Sequence, residues 1–279
     1  MRKIFQLILI SALATGCDAQ NSDKNKDIPE KKMEQQQAIK VNLDPYTLDK
    51  LNTLLEKRSK ANYHEKGEII DFLSKAFLET PYQANMLHGS ENTPEKLVID
   101  FRGLDCFTYL DYIEALSKST SQTEFINNVI RTRYVDGNVS FLNRKHFFTD
   151  WAYREYKLAT DITTQISPNA VSTEKYLNEK ADGGNYLPGL PVVKRNVAYI
   201  PSNFINEEVI NHLKTGDFIG IYSELAGLDV THVGFFIMTE DGPMFRNASS
   251  RKENKKVVDS PFMDYVAKTP GIVVLRAFQ

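Results

Sequence analysis

Apolar residues return along the first half of the chain at intervals of three and four, the spacing of one helix face. Leu48, Leu51, Leu54 and Leu55 follow Asp44-Pro45, a capping residue with proline at the first helical position, and predict a helix. Ile69, Ile70, Leu73, Ala76 and Phe77 make a second stripe, in a helix expected from Lys66 to Leu78. A third helix is expected to open at Asp105-Cys106 and to run through Leu110, Ile113 and Leu116 to Lys118. A fourth carries Phe125, Ile126, Val129 and Ile130, with Thr123 as its expected cap.

The last third changes pattern. Phe218 to Tyr222, His232 to Met238, Pro243 to Ala248 and Gly271 to Phe278 are short runs rich in branched and aromatic residues, and predict strands. Asp241-Gly242 is a turn between two of them. Glu207 to Leu213 predicts a surface helix, and Ser260-Pro261 the start of another before Phe262, Tyr265 and Val266. Ile162 to Lys194, with Asp182-Gly183-Gly184 and several prolines, reads as an irregular insertion loop near the site. Helices first and strands later, without βαβ alternation, predict an α+β fold with an antiparallel sheet.

The opening segment has another use. Met1-Arg2-Lys3 is basic, Ile4 to Gly16 is apolar, and small residues precede Cys17, which is the layout of a secretory signal. The run is shorter than the ~20 residues that span a bilayer. Leu13-Ala14-Thr15-Gly16-Cys17 resembles a bacterial lipobox, with Ala14 where leucine is common. That resemblance implies a signal peptide over residues 1–16 and an acylated Cys17. The alternative is plain secretion with Cys17 buried. Residues 17–40 are polar and aperiodic and read as a flexible tether, leaving a domain over residues 41–279. Loss of Arg2 and Lys3 takes two positive charges from a formal net charge of −2 and leaves −4. A nucleic-acid partner, which favours a basic surplus, is not indicated. Contact with a membrane would be through the lipid alone, with the domain in the periplasm or at the cell surface.

Cysteine is the informative residue, because the chain has only two. A free cysteine is often a small buried apolar group. Cys106, however, follows a capping Asp105 in the first turn of an apolar helix. There the unpaired N–H groups and the dipole favour a thiolate, and the same groups can stabilise an oxyanion. Asp105 reads as structural. A cysteine nucleophile needs a base, usually histidine, and a group that orients the ring. Of the five histidines, His64 follows a polar helix end and His212 sits on the surface helix. His232 opens the strand Thr231-His232-Val233-Gly234-Phe235-Phe236-Ile237, and Asn247 lies on the next strand, placed to accept the far ring N–H. Neither a His-Glu-x-x-His run nor the paired cysteines of a zinc site occurs, so no metal is expected.

Several short motifs then fall in one order: Thr80-Pro81-Tyr82, Leu104-Asp105-Cys106-Phe107-Thr108, Gly216-Asp217, Gly227-Leu228-Asp229-Val230-Thr231-His232-Val233-Gly234 and Asn247-Ala248-Ser249-Ser250. Together, over roughly residues 65 to 278, they resemble the N-acetylmuramoyl-L-alanine amidase-like branch of the NlpC family of cell-wall cysteine hydrolases. Asn143-Arg144-Lys145-His146-Phe147-Phe148 with Trp151 resembles it too, where the branch usually carries Arg-Asn-His.

The resemblance implies a papain-like core, its nucleophile at a helix N-terminus packed on the sheet, with Cys106 as nucleophile, His232 as base and then acid, and Asn247 as ring orienter. The branch generally has histidine at the position of Asn247. Tyr82 is implied as an oxyanion-hole neighbour or a packed aromatic, and Asn143 and His146 as substrate ligands or loop-fixing groups. Asp229 either binds a sugar or peptide amine or shapes the turn before His232; Ser249 and Ser250 are ligands or backbone caps. The implied activity is hydrolysis of the amide between the muramic lactyl group and L-Ala in peptidoglycan or muropeptides, with no cofactor. The competing expectations are a stem-peptide endopeptidase of the same fold and a non-catalytic wall-binding lipoprotein.

Overall fold

The computed structural model describes residue 41 and residues 43–278. The expected signal peptide, Cys17 and the tether lie outside the described residues. Helix α1 spans Pro45–Lys60, with Asp44 Oδ1 accepting from the amides of Tyr46 (3.1 Å) and Thr47 (3.2 Å). Helix α2, Lys66–Lys75, begins with a reciprocal cap between Glu65 and Glu68 and buries Ile70 and Leu73. It stops short of Leu78, because the chain turns at Ala76 and reaches Glu79 in the left-handed region (φ 69°). A small hairpin, β1 (His88–Ser90) and β2 (Thr93–Lys96), precedes α3, Cys106–Ser117. Helix α4, Gln122–Arg133, is capped by Ser121, whose Oγ accepts from the Glu124 amide at 3.2 Å. Thr123, the expected cap, lies two residues too late and is already the second residue of the helix.

Helix α3 is buried from Thr108 to Ser117, including Asp111 and Glu114. Those carboxylates are paired, Asp111 with Arg133 at 2.7 Å and Glu114 with Lys66 at 3.6 Å. The helix is central because its apolar residues reach both neighbours. Tyr109 meets Phe235 of the sheet edge-on at 5.3 Å, while Tyr112 meets Phe101 at 5.1 Å. After α4 come a short helix α5 (Asp150–Tyr153), strand β3 (Ala159–Asp161) and helix α6 (Thr163–Ile166). Strands β4 (Val171–Leu177) and β5 (Val193–Pro201) lead to α7 (Glu207–His212). Strands β6 (Phe218–Tyr222), β7 (Val230–Thr239), β8 (Gly242–Ala248) and β9 (Val257–Pro261), helix α8 (Phe262–Val266) and strand β10 (Gly271–Ala277) follow.

These strands form an eight-stranded antiparallel sheet in the order β4-β5-β10-β6-β7-β8-β9, with β3 also on β10. The fold is α+β, as expected. One face carries Phe218, Val233, Phe235 and Val273 against α1 to α5; the other carries Ile219, Ile221, Phe236 and Phe245 against α6, α7 and α8. The sheet is thus covered on both sides, which explains why β6 is buried at every residue and shows no alternation.

Two expectations are corrected. The stretch from Ile162 to Lys194 is irregular only in part: its first half holds α6 and then β4, paired along its length with β5 from Val171↔Tyr199 to Leu177↔Val193, and the irregular loop is confined to residues 178–192. The alternation of β4 is hidden because the inward position is Lys175, whose ammonium donates to the carbonyls of Ser223 (2.7 Å) and Leu225 (2.9 Å). The loop that follows is pinned by Asn178, which bonds the backbone of Leu187 and Leu190. Ser260-Pro261 ends strand β9 and does not start a helix; α8 opens at Phe262. Proline is tolerated there because residues 79–80 cover the outer side of β9 only at Val257, and at Pro261 that edge has no paired neighbour to receive the missing N–H.

Arg246 ties this end together. Its buried guanidinium bonds Asp259 of β9 at 2.7 and 2.9 Å, and Asp71 (2.7 Å) and Ser74 (3.0 Å) of α2.

Candidate active site

Cys106 is the first residue of α3. Its cap is reciprocal: Asp105 Oδ1 accepts from the Thr108 amide at 2.7 Å, and Thr108 Oγ1 accepts from the Asp105 amide at 3.0 Å. The thiol is half-buried and unpaired. The backbone N–H groups of Val233, Cys106 and Phe107 lie near the sulfur and favour its thiolate. Burial opposes them, the Asp105 carboxylate adds to that opposition, and the thiol is pushed up to about 12. The N–H groups at the helix terminus favour the thiolate, but burial outweighs them. In the resting site it is a neutral thiol, and a base must take its proton.

His232 sits near the start of β7, opposite Ile221 of β6. The register slips immediately beyond, where Tyr222 pairs with Val230, so the strand opens on an irregular step that re-aims its side chains. His232 Nε2 lies 2.9 Å from Asn247 Oδ1. The amide's orientation follows from its other end, where Nδ2 donates to the Phe245 carbonyl at 3.0 Å, an atom that can only accept. Oδ1 therefore faces the ring, Nε2 carries the hydrogen, and Nδ1 keeps the lone pair. Phe245 and Tyr265 wall the imidazole, with centroids at 5.9 and 6.4 Å. Burial lowers the His232 pKa, Asn247 opposes that, and the Arg251 charge adds to it. The base is thus neutral at ordinary pH.

Three relationships bring the thiol and the imidazole to one place. The amide of Val233, next in chain to His232, lies near the Cys106 sulfur and favours its thiolate. The Asp105 charge acts on both groups, and the phenol of Tyr265, whose ring stacks on His232, feels the Cys106 charge. Tyr82 joins them. Residues 81–83 run beside Leu104, with Gln83 N donating to Leu104 O at 2.9 Å and Leu104 N to Pro81 O at 3.0 Å. A Cβ on Gly103 would lie 2.8 Å from the Gln83 Cβ, so only glycine permits this approach. Burial and the charges of Cys106 and Asp105 raise the Tyr82 hydroxyl.

The other sequence-derived candidates are held locally. Asn143 donates to Ser140 Oγ at 2.6 Å, and His146 donates from Nε2 to the Phe141 carbonyl at 2.8 Å. Both fix the loop before α5. Asp229 is buried, with Oδ2 accepting from the Thr149 amide (2.7 Å) and hydroxyl (2.8 Å), and Oδ1 from the Val230 amide (2.8 Å). It shapes the turn before His232 and anchors it to α5. Ser249 Oγ accepts from Arg251 N (3.4 Å) and Asn254 Nδ2 (3.3 Å), which is capping, while Ser250 is exposed. Among the described residues no cluster of three or more His, Cys, Asp or Glu could hold a metal. No helix among them is long and apolar enough to cross a membrane.

Tyr265 and Arg251 belong to the site and escape sequence reasoning. Tyr265 reads as one more apolar position of a C-terminal helix, and Arg251 as one charge in a polar loop.

Helices packed on a large antiparallel sheet, with a thiol and an imidazole brought together at one end, fit the class of amidase-type hydrolases. Residues 72–272 match the family model described as AmiA-like, N-acetylmuramoyl-L-alanine amidase-like, and the chain belongs to this family. Among solved structures it resembles an N-acetylmuramoyl-L-alanine amidase from Bacteroides uniformis, at 26% identity and a TM-score of 0.65, over 77% of this chain and 100% of that one. A Legionella pneumophila protein of the family model DUF1460 shares the fold, with a TM-score of 0.70 at 24% identity over 83% of this chain and 94% of that one. No curated protein matches the chain.

Proposed function

We propose that the chain is a lipid-tethered cysteine amidase with a papain-like core, cleaving the amide between the muramic lactyl group and L-Ala of peptidoglycan or muropeptides. The observation that carries this reading is the 2.9 Å bond from His232 Nε2 to Asn247, which leaves the other ring nitrogen as the free base beside the Cys106 helix. Family membership supports the class of bond and substrate.

The chemistry follows in two stages. Cys106 Sγ attacks the lactyl carbonyl carbon while its proton passes to His232 Nδ1, because both partners rest neutral. The negative charge gathers on the carbonyl oxygen, toward N–H groups at the start of α3 and the Tyr82 hydroxyl. The carbon–nitrogen bond then breaks, and the imidazolium gives its proton to the departing amine of L-Ala. Water next attacks the thioester, His232 takes a water proton and returns it to sulfur, and the lactyl carboxylate leaves. Asn247 keeps the ring in the required tautomer through both stages. Asn143, His146, Asp229 and Ser249 hold the surrounding loops through their own hydrogen bonds, and Cys17 would hold the domain near a membrane through its lipid.

Mass analysis of muropeptides digested by the parent and by Cys106→Ala tests this. The amidase releases the whole stem with a free L-Ala amine, and the variant releases nothing. Fragments cut within the stem would mean an endopeptidase, and equal products from the two chains would overturn the mechanism.

A further inference from the structure

Strand β8 leads from Asn247 into the loop of residues 249–256, which returns to β9. The backbone at Arg251 is held there on both sides: its amide donates to Ser249 Oγ, and its carbonyl accepts from Asn254 N (3.0 Å) and Lys255 N (2.9 Å). Its side chain is exposed, with the guanidinium carbon 4.2 Å from the centroid of the Tyr265 ring. That same ring stacks on His232 at 6.4 Å and 23°. Arg251, Tyr265 and His232 thus form a file leading from solvent to the proposed base.

Arg251 also faces a cavity of about 680 Å³, lined further by Leu78, Asn254, Ser260 and Lys268. Its acidic neighbours are occupied, Asp259 by Arg246 and Glu79 by Lys256. Asp264 and Lys268 on the wall cancel in charge. Among the described residues no carboxylate pairs with Arg251. A guanidinium laid on an aromatic ring is pre-organised and weakly hydrated, and its remaining N–H groups form a planar fork that matches a carboxylate.

We infer that Arg251 is a specificity-determining residue that receives a carboxylate of an anionic peptide substrate beside the scissile amide. The inference rests on the amidase reading and adds which peptides the site accepts. A neutral carboxamide at the same position cannot take the two-pronged bond and places an N–H against a cation.

The test uses two probes, N-acetylmuramoyl-L-Ala-D-Glu and its α-carboxamide counterpart, and two readouts. Calorimetric binding to the full chain carrying Cys106→Ala is expected to favour the carboxylate probe by roughly 10- to 100-fold. Adding Arg251→Gln abolishes that preference, and adding Arg251→Lys restores only part of it. Equal binding of the two probes to Cys106→Ala, or a preference that survives Arg251→Gln, overturns the inference. Cleavage by the chain with Cys106 intact is scored separately. If neither probe is cut, the amidase reading fails, and the binding ratio still decides the role of Arg251.

Discussion

His232 and Asn247 face each other across two antiparallel strands, the ring donating from Nε2 to the amide oxygen at 2.9 Å. The bond selects one tautomer of a neutral imidazole, so Asn247 decides which ring nitrogen is basic. Asn247→Ala removes the acceptor and lets the ring exchange tautomers and rotate. It is expected to lower kcat by roughly 10- to 1,000-fold with KM little changed, measured by release of the free stem. Asn247→His supplies another acceptor and is expected to recover most of the activity.

Cys106→Ala and His232→Ala are each expected to lose at least about 10³-fold in kcat, and the double variant little more, because the two groups act as a unit. Circular dichroism and thermal unfolding should match the parent closely. An additive loss in the double variant would mean that the two do not share a proton.

The pH dependence follows from the groups that face His232. Burial sets its pKa below the ordinary value near 6.5, and Arg251 adds to this, while Asn247 and Asp105 oppose it. The base must be unprotonated, so activity is present above its pKa and falls as pH drops through it. The acid limb of kcat/KM is expected below pH ~6.5, and Arg251→Gln should move it upward.

Asp105 caps the helix but works against ionisation of its neighbour. Asp105→Asn keeps a side-chain acceptor for the Thr108 amide and removes a negative charge that raises the Cys106 pKa. Alkylation of Cys106 by iodoacetamide, followed against pH, is expected to shift to lower pH in this variant. An unchanged profile would assign the raised pKa to burial alone.

The buried pair of Asp111 and Arg133 joins α3 to α4. Asp111→Ala leaves the Arg133 charge without its counter-ion in the core and is expected to destabilise the fold by about 3–5 kcal/mol in denaturant unfolding.

Much of this was legible in the residues, and the reasons are local. Asp44-Pro45 and Asp105 start helices because a short acceptor before an apolar period does so in almost any context. The edge of β9 and strand β4 were not legible. Lys175 reads as a surface charge until the carbonyls of Ser223 and Leu225 are folded onto it, and Ser260-Pro261 has the chemistry of a helix start but lies on a strand with one free side. The site divides in the same way. Cys106, His232 and Asn247 stand out as candidates by residue type and order. Arg251 and Tyr265 acquire theirs only when a loop and a late helix pack against the imidazole, a tertiary fact that no spacing encodes.

Arg246 and Asn247 are adjacent in β8 and point to opposite faces, one into the ion network with Asp71 and Asp259, the other to His232. The hairpin at Asp241-Gly242 is therefore a keyed joint. A slip of β8 by one residue against its neighbours would turn the guanidinium to the face of the imidazole and the carboxamide to the salt cage, whereas a slip of two would preserve the polarity of the strand.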